Sequence, residues 1–262
     1  MLFNVLFGLL SLMPLPAQWL LLISMDQPAR SLTADRLGFF YVVDERNALV
    51  KLDSTGAEMF RYQRAGTAPF APDASDPLKP ILHYPRTGHV VFLDNTLTAI
   101  GQLELQPHGY YEGTAVCRSS DDRLWVFDPG TGRLQKIEFD GTLFREGADL
   151  VQHTGFVPDV IFMREHNHKV YLCDSSRGIL VTDAFGNYEA LLPFKGLNHF
   201  QFVNDRLVFH SQTAMLFYDP RSAFIDSVSL ADAAPFRQAV YTQNRLLTLH
   251  KNGLSLYRRK SP

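Results

Sequence analysis

The feature that most constrains this chain is a repeated unit: an apolar strand ends on a turn-forming residue, a second strand follows, and another tight turn closes it. Residues 121–141, DDRLWVFDPGTGRLQKIEFDG, show it most fully. Leu124, Trp125 and Val126 lead to Asp128, and Pro129-Gly130-Thr131-Gly132 then supplies a fixed φ and positions tolerant of positive φ, as a hairpin connection requires. From Leu134 to Phe139 the side chains alternate, and Asp140-Gly141 marks the next turn. The same grammar recurs over residues 38–56 and 169–186.

Aligning the remaining chain on this unit predicts six of them. The second strands end at Asp44, Asp94, Asp128, Asp174, Ser211 and His250, an average spacing of about 41 residues that falls within the roughly 40–50 residues of a propeller blade. Unit one covers residues 29–63, unit two 80–105, unit three 114–145, unit four 159–192 and unit five 199–228. Residues 65–80, rich in Ala, Pro, Asp and Gly and without periodicity, read as an exposed loop. Unit six, from Gln238 to Arg258, is one strand short, and the apolar segment at residues 18–25, QWLLLISM, lacks a partner. Joining the two completes a sixth unit and hides the edges of the ring. The expected fold is therefore all-β: a six-bladed β-propeller of four-stranded blades, closed by an N-terminal strand at about residues 18–25.

Composition agrees with one such domain. A chain of 262 residues with 46% hydrophobic content can bury a sizeable core, and 20 Phe, 10 Tyr, 17 Gly and 15 Pro suit many short strands joined by turns. A formal net charge of −2, from 25 basic and 27 acidic residues, leaves no electrostatic footprint for nucleic acid and no broad basic face for anionic lipid. Residues 1–17 differ in kind. They are almost wholly apolar and without Asp, Glu, Lys or Arg, and they end in Pro14, Pro16 and Ala17. The two prolines interrupt the run before the roughly 20 apolar residues of a spanning helix. The segment reads as a signal peptide cut near Ala17-Gln18, leaving residues 18–262 as a single exported domain, periplasmic or envelope-associated, with no transmembrane span. Cys117 and Cys173 are too few for a disulfide scaffold or a metal site, and both lie in apolar strand patterns. They read as buried thiols, with an export-dependent disulfide as the alternative.

The grammar of residues 38–56, 122–141 and 169–186 resembles the six-bladed propellers of the NHL and TolB-like class, over nearly all of residues 18–262. That class includes enzymes, ligand binders and docking platforms, so the resemblance implies architecture more than activity. It also implies that segments leading into each innermost strand line one mouth of the central channel. Here these are Arg30, Pro80, Glu112, Asp159, Asn198 with His199, and Arg237, with Tyr110 and Tyr111 beside them as an exposed aromatic pair. Glu112, Asp159 and Asn198 resemble the metal ligands of the regucalcin-type lactonases, which are also six-bladed, and such oxygen ligands would suit Ca²⁺ or Mg²⁺.

Other chemistry finds less support. His166-Asn167-His168 has a spacing that zinc could use, but its polar setting reads as a β-turn. His83, His199, His210 and His250 occur singly on strands and read as core or channel residues. No Gly-x-Ser-x-Gly elbow and no phosphate-cradling glycine loop occurs, and the blade-end aspartates read as turn formers. The expected function is that of an exported, non-catalytic binding or scaffold protein. It needs no cofactor and engages a protein or glycan partner through its channel mouth and the 65–80 loop. The alternative is a divalent-metal-dependent hydrolase of the lactonase type.

Overall fold

The computed structural model describes residues 19–64, 68–111, 114–230 and 235–260; residues 1–17, read above as a signal peptide, and Glu112 lie outside them. The described chain forms six four-stranded antiparallel sheets. The strands are β1 (Trp19–Met25), then β2 (Ala29–Ala34), β3 (Phe40–Asp44), β4 (Leu49–Leu52) and β5 (Glu58–Tyr62) as blade one. Blade two is β6 (Ala71–Asp73), β7 (Ile81–Tyr84), β8 (His89–Leu93) and β9 (Ala99–Glu104). Blade three is β10 (Ala115–Arg118), β11 (Leu124–Asp128), β12 (Arg133–Ile137) and β13 (Leu143–Asp149), trailed by a short helix α1 (Leu150–Thr154). Blade four is β14 (Val160–His166), β15 (Lys169–Asp174), β16 (Gly178–Thr182) and β17 (Tyr188–Leu192). Blade five is β18 (Gln201–Val203), β19 (Arg206–His210), β20 (Ala214–Asp219) and β21 (Phe224–Ser229). Blade six is β22 (Gln238–Thr242), β23 (Arg245–Leu249) and β24 (Leu254–Arg259), with β1 as its outermost strand.

The core explains why the second and third strands are apolar at nearly every position. Among the described residues six buried clusters form, one between each pair of neighbouring blades. Phe40 and Val42 of β3 pack toward blade six, whereas Tyr41 and Val43 pack toward blade two. A strand with both faces covered cannot alternate apolar with polar residues. Trp125 and Phe127, both fully buried, do the same work between blades three and four.

Aspartates set the turns, as expected. Asp44 Oδ1 accepts from the amides of Arg46 and Ala48 at 2.9 and 2.8 Å, and Asp183 Oδ1 accepts from Phe185 and Asn187 at 2.8 and 2.9 Å. Gly186, three residues after Asp183, has φ +83°. A Cβ there would lie 2.9 Å from the Gly147 Cα of blade three, so blades three and four meet through two glycines. Asn167 and His168, at φ 49° and 60°, form the tight β14–β15 turn.

Ring closure matches the sequence reading. β1 pairs antiparallel with β24, with Trp19 opposite Arg259 and Met25 opposite Leu254, and Trp19 Nε1 donates to the Ser229 carbonyl of blade five at 3.0 Å. Cys117 and Cys173 are both buried free thiols.

Blade two departs from expectation. Its innermost strand is β6, inside the segment read as an exposed loop; the strand at residues 81–84, expected to be innermost, is its second. Asp94 accordingly follows the third strand of its blade, not the second. An innermost strand pairs on one edge only, so β6 accommodates Pro72, which a central strand would not.

Candidate functional site

All six innermost strands run in the same sense, from an upper face where they begin to a lower face where hairpins lead into the second strands. On the upper face a cavity of about 540 Å³ opens over the channel. Arg30 comes from blade one, Arg237 precedes β22 of blade six, and Asn198 and His199 precede β18 of blade five; all four line it. Phe70, Ala71 and Pro72, from the segment read as a loop, also line it, as do Phe162 and His210. Among the described residues, no Asp or Glu lines this cavity. Its volume falls within the range of small-ligand sites, roughly 300–1,000 Å³.

The two arginines are anchored but not neutralised alike. Arg30 Nη2 donates to the Glu45 carbonyl at 3.0 Å, and its Nε lies 3.5 Å from Glu45 Oε2 in a half-exposed pair. Arg237 Nη2 donates to the Ala29 carbonyl at 3.0 Å and the His250 carbonyl at 3.5 Å, acceptors without formal charge. The His199 ring lies 4.6 Å from Phe162, and its Nε2 is sealed from solvent without a partner. Burial, then the charge of Arg164 and of His210, pulls its pKa down to about 3, so the imidazole is neutral. Burial likewise lowers the pKa of His210.

Further along the same inner strands, a buried ion pair crosses the channel. Asp73, at the end of β6, pairs with the Arg164 guanidinium of β14, and each residue is 5% exposed. Asp73 also accepts from the amides of Arg118 and Ser75, both at 2.8 Å. Amide side chains make comparable bridges elsewhere around the ring. Gln238 of β22 accepts from Leu32 N and donates to Leu32 O, both at 2.8 Å, and Gln201 of β18 does the same to Tyr241. An inner strand has one edge without a sheet partner, and in β2, β10 and β22 these side chains satisfy part of its backbone.

The lower face is polar and largely self-paired. Two cavities of about 290 Å³ each open there. Asp122 pairs with Arg118 at 2.5 Å and Lys79 at 2.8 Å; Glu165 accepts from Ser119 Oγ at 2.6 Å; and Asp205 meets His166 at 3.1 Å. The His166 ring stacks on Phe202 at 4.1 Å. Most of these charges are matched internally, whereas exposed Arg36, which lines both cavities, makes no ion pair among the described residues.

Four of the expected mouth residues, Arg30, Asn198, His199 and Arg237, thus share one cavity. Asp159 is exposed beside it but does not line it; its amide donates to Asp174 Oδ2 at 3.0 Å. Of the lactonase-like trio, Asn198 lines the cavity, Asp159 does not, and Glu112 lies outside the described residues. Pro80 leads into a second strand, so it belongs to the lower end of its blade. Tyr110 is not exposed. At 5% exposure it packs with Ile81, Leu105 and Leu124 between blades two and three, while Tyr111 beside it is 66% exposed. Asp73 and Arg164 were missed, and the one clue to Asp73 was an aspartate followed by small residues at the end of an unrecognised strand.

A scan against protein-family models matches none, and a search of curated proteins finds no match. Among solved structures the chain is similar to a streptogramin B lyase, with 12% identity and a TM-score of 0.60 over 92% of this chain and 97% of that one. It is similar to a catalytically inactive virginiamycin B lyase from Staphylococcus aureus with quinupristin, at 10% identity and a TM-score of 0.61 over 93% and 99% of the two chains. The Neurospora crassa Pan2 WD40 domain matches at 7% identity with a TM-score of 0.59 over 93% and 96%. At such identities the likeness is one of fold alone: this chain is a six-bladed β-propeller, and the solved structures it resembles include lyases and a WD40 domain.

Proposed function

We propose that this protein is a non-catalytic binding or scaffold propeller, exported to the cell envelope, whose upper mouth grips an anionic group on a protein or glycan partner. The observation that carries the reading is the composition of that mouth. Two arginines converge on an open cavity of about 540 Å³ without a carboxylate among its described lining residues. Guanidinium forks suit carboxylate, sulfate or phosphate groups, and the aromatic walls at Phe70 and Phe162 suit an apolar body behind such a group. The apolar character of residues 1–17 supports export, and the resemblance to NHL and TolB-like propellers supports docking as the use of the mouth.

The metal-dependent reading draws less from this cavity, because a divalent cation selects carboxylate oxygens and the described lining offers arginine and neutral histidine. The test is affinity purification from the native envelope with the wild-type chain and with Arg30→Glu/Arg237→Glu. A partner retained by the wild type and lost by the double variant, whose melting temperature is unchanged, is the expected result. Repeated return of nothing above background would sink the proposal. Stoichiometric calcium or magnesium in the purified protein, absent from Glu112→Ala, would favour the hydrolase instead.

A further inference from the structure

Five of the six outermost strands carry at least one charged residue: Glu58 and Arg61 in β5, Glu104 in β9, Arg145 and Glu146 in β13, Glu189 in β17 and Asp226 in β21. Such charges guard an open strand edge against unwanted association. The sixth, β1, reads WLLLISM and carries none. Leu20, Leu21, Leu22 and Ile23 are consecutive and each is 41–51% exposed. The register also shifts between Leu21 and Ile23, leaving Leu22 without a cross-strand partner on β24. A regular edge would template another strand, and this irregularity disfavours that use of it.

Ring closure places positive charge beside this apolar edge. Leu20 lies opposite Arg258 and Trp19 opposite Arg259; Lys260 follows; and Arg245 of β23 lies opposite Arg258. Arg258, Arg259 and Lys260 are exposed. Arg245 donates to the Ser54 carbonyl and the Asn244 side chain, and none of the four pairs with a carboxylate among the described residues. An acidic group adjoins the opposite end, where Asp26 follows Met25, and the turn that begins at Asp53 packs near Ile23 through Gly56 while its Ser54 carbonyl takes the Arg245 side chain. The net charge of −2 conceals this cluster, because residues 245 and 258–260 meet residues 19–20 only once the ring has closed.

An apolar strip flanked by unpaired basic residues matches the chemistry of an anionic bilayer surface, in which aliphatic side chains enter the headgroup boundary and cations meet lipid phosphates. We infer that the β1 edge, Leu20 to Ile23 with Arg245, Arg258, Arg259 and Lys260, is a membrane-contacting surface that sets the propeller edge-on against anionic lipid. The sequence leading into Trp19 is itself apolar, so the same edge would face the membrane at which that segment acts. The upper mouth takes no part in this surface, and the inference stands or falls apart from the partner-binding proposal.

Vesicle flotation tests it with the full chain, comparing equimolar phosphatidylcholine and phosphatidylglycerol with phosphatidylcholine alone. The wild type is expected to float with the anionic vesicles and to be released by salt. Leu20→Glu/Leu22→Glu should weaken partitioning by at least about tenfold, and Arg258→Glu/Arg259→Glu by about tenfold or more on anionic vesicles only. All variants keep residues 1–17, so flotation equal to wild type in both would assign any lipid binding to that segment and overturn the inference. Absence of wild-type binding would overturn it too. So would a concentration-dependent dimer, seen by sedimentation without lipid and abolished by Leu20→Glu/Leu22→Glu, which would make a second copy the occupant. Should the leucine variant fail to fold, the arginine variant, altered only at exposed side chains, still decides.

Discussion

Removing the Asp73 carboxylate tests whether the ion pair across the channel holds the inner strand of blade two in the ring. In Asp73→Leu three donors lose their acceptor at once: the Arg118 amide, the Ser75 amide and the Arg164 guanidinium. The guanidinium matters most. Arg164 is 5% exposed and its Nε already lacks a partner, so the substitution leaves a buried cation almost uncompensated. Breaking a buried pair in this way costs about 3–5 kcal/mol. Arg164→Met should cost less, about 2–3 kcal/mol, because the carboxylate keeps its two backbone donors. The double substitution removes both charges and strands only the two amides, so it should be more stable than Asp73→Leu alone. Urea unfolding followed by tryptophan fluorescence is a suitable assay, since buried Trp125 donates to Glu165, the neighbour of Arg164. For a chain of this size, 3–5 kcal/mol corresponds to a fall in Tm of roughly 6–20 °C. A loss under about 1 kcal/mol, or a double variant less stable than Asp73→Leu, would refute the reasoning.

Two further predictions concern buried titratable groups. Burial lowers the pKa of His83 to about 4, and the ring sits on β7 at 4% exposure with Nε2 unpartnered. The unfolded chain binds this proton near pH 6.5 and the folded chain does not, so stability is full above about pH 6.5 and is lost as pH falls toward 4, at up to about 1.4 kcal/mol per pH unit. His83→Leu should flatten this acid-side slope by up to one proton, and an unchanged slope in urea titrations at several pH values would contradict it. Burial raises the Cys117 thiol well above its ordinary pKa and pushes Cys173 up to about 12. Neither should react with a thiol reagent at pH 8 until urea is added, when both should; fast labelling of the native protein, or an intact disulfide by mass spectrometry, would count against the structure here.

Most of the architecture was legible in the sequence because each blade-end aspartate performs a local task. Asp44, Asp128 and Asp174 bond to amides two to four residues ahead, so they mark turns irrespective of distant contacts. The closing strand was legible by subtraction, an apolar segment at one end matching a vacancy at the other. Blade two failed for a physical reason. Ala71-Pro72-Asp73 is three residues long, centred on proline, and stabilised by an arginine 91 residues away, none of which leaves a local pattern. Tyr110 was misjudged for a similar reason, as its burial depends on Ile81 and Leu124 of adjoining blades. For the site, sequence order was enough to collect Arg30, Asn198, His199 and Arg237 around one mouth, because inner-strand starts recur once per blade. It could not show that Asp159 stands off the wall or that Asp73 and Arg164 meet, since both depend on distances across the ring.

Closing the circle with the first strand also imposes an order in time. Trp19 and Arg259 stand about 240 residues apart, and bringing such ends together costs about 5 kcal/mol of chain entropy before any contact is made. At a synthesis rate of about 5–20 residues per second, β1 leaves the ribosome roughly 12–48 s ahead of the strand that receives it. During that interval its run of three leucines and an isoleucine has no strand to pair with, and blade six cannot be finished by any earlier part of the chain. The last strand made is thus the one that first gives the backbone of the first a partner.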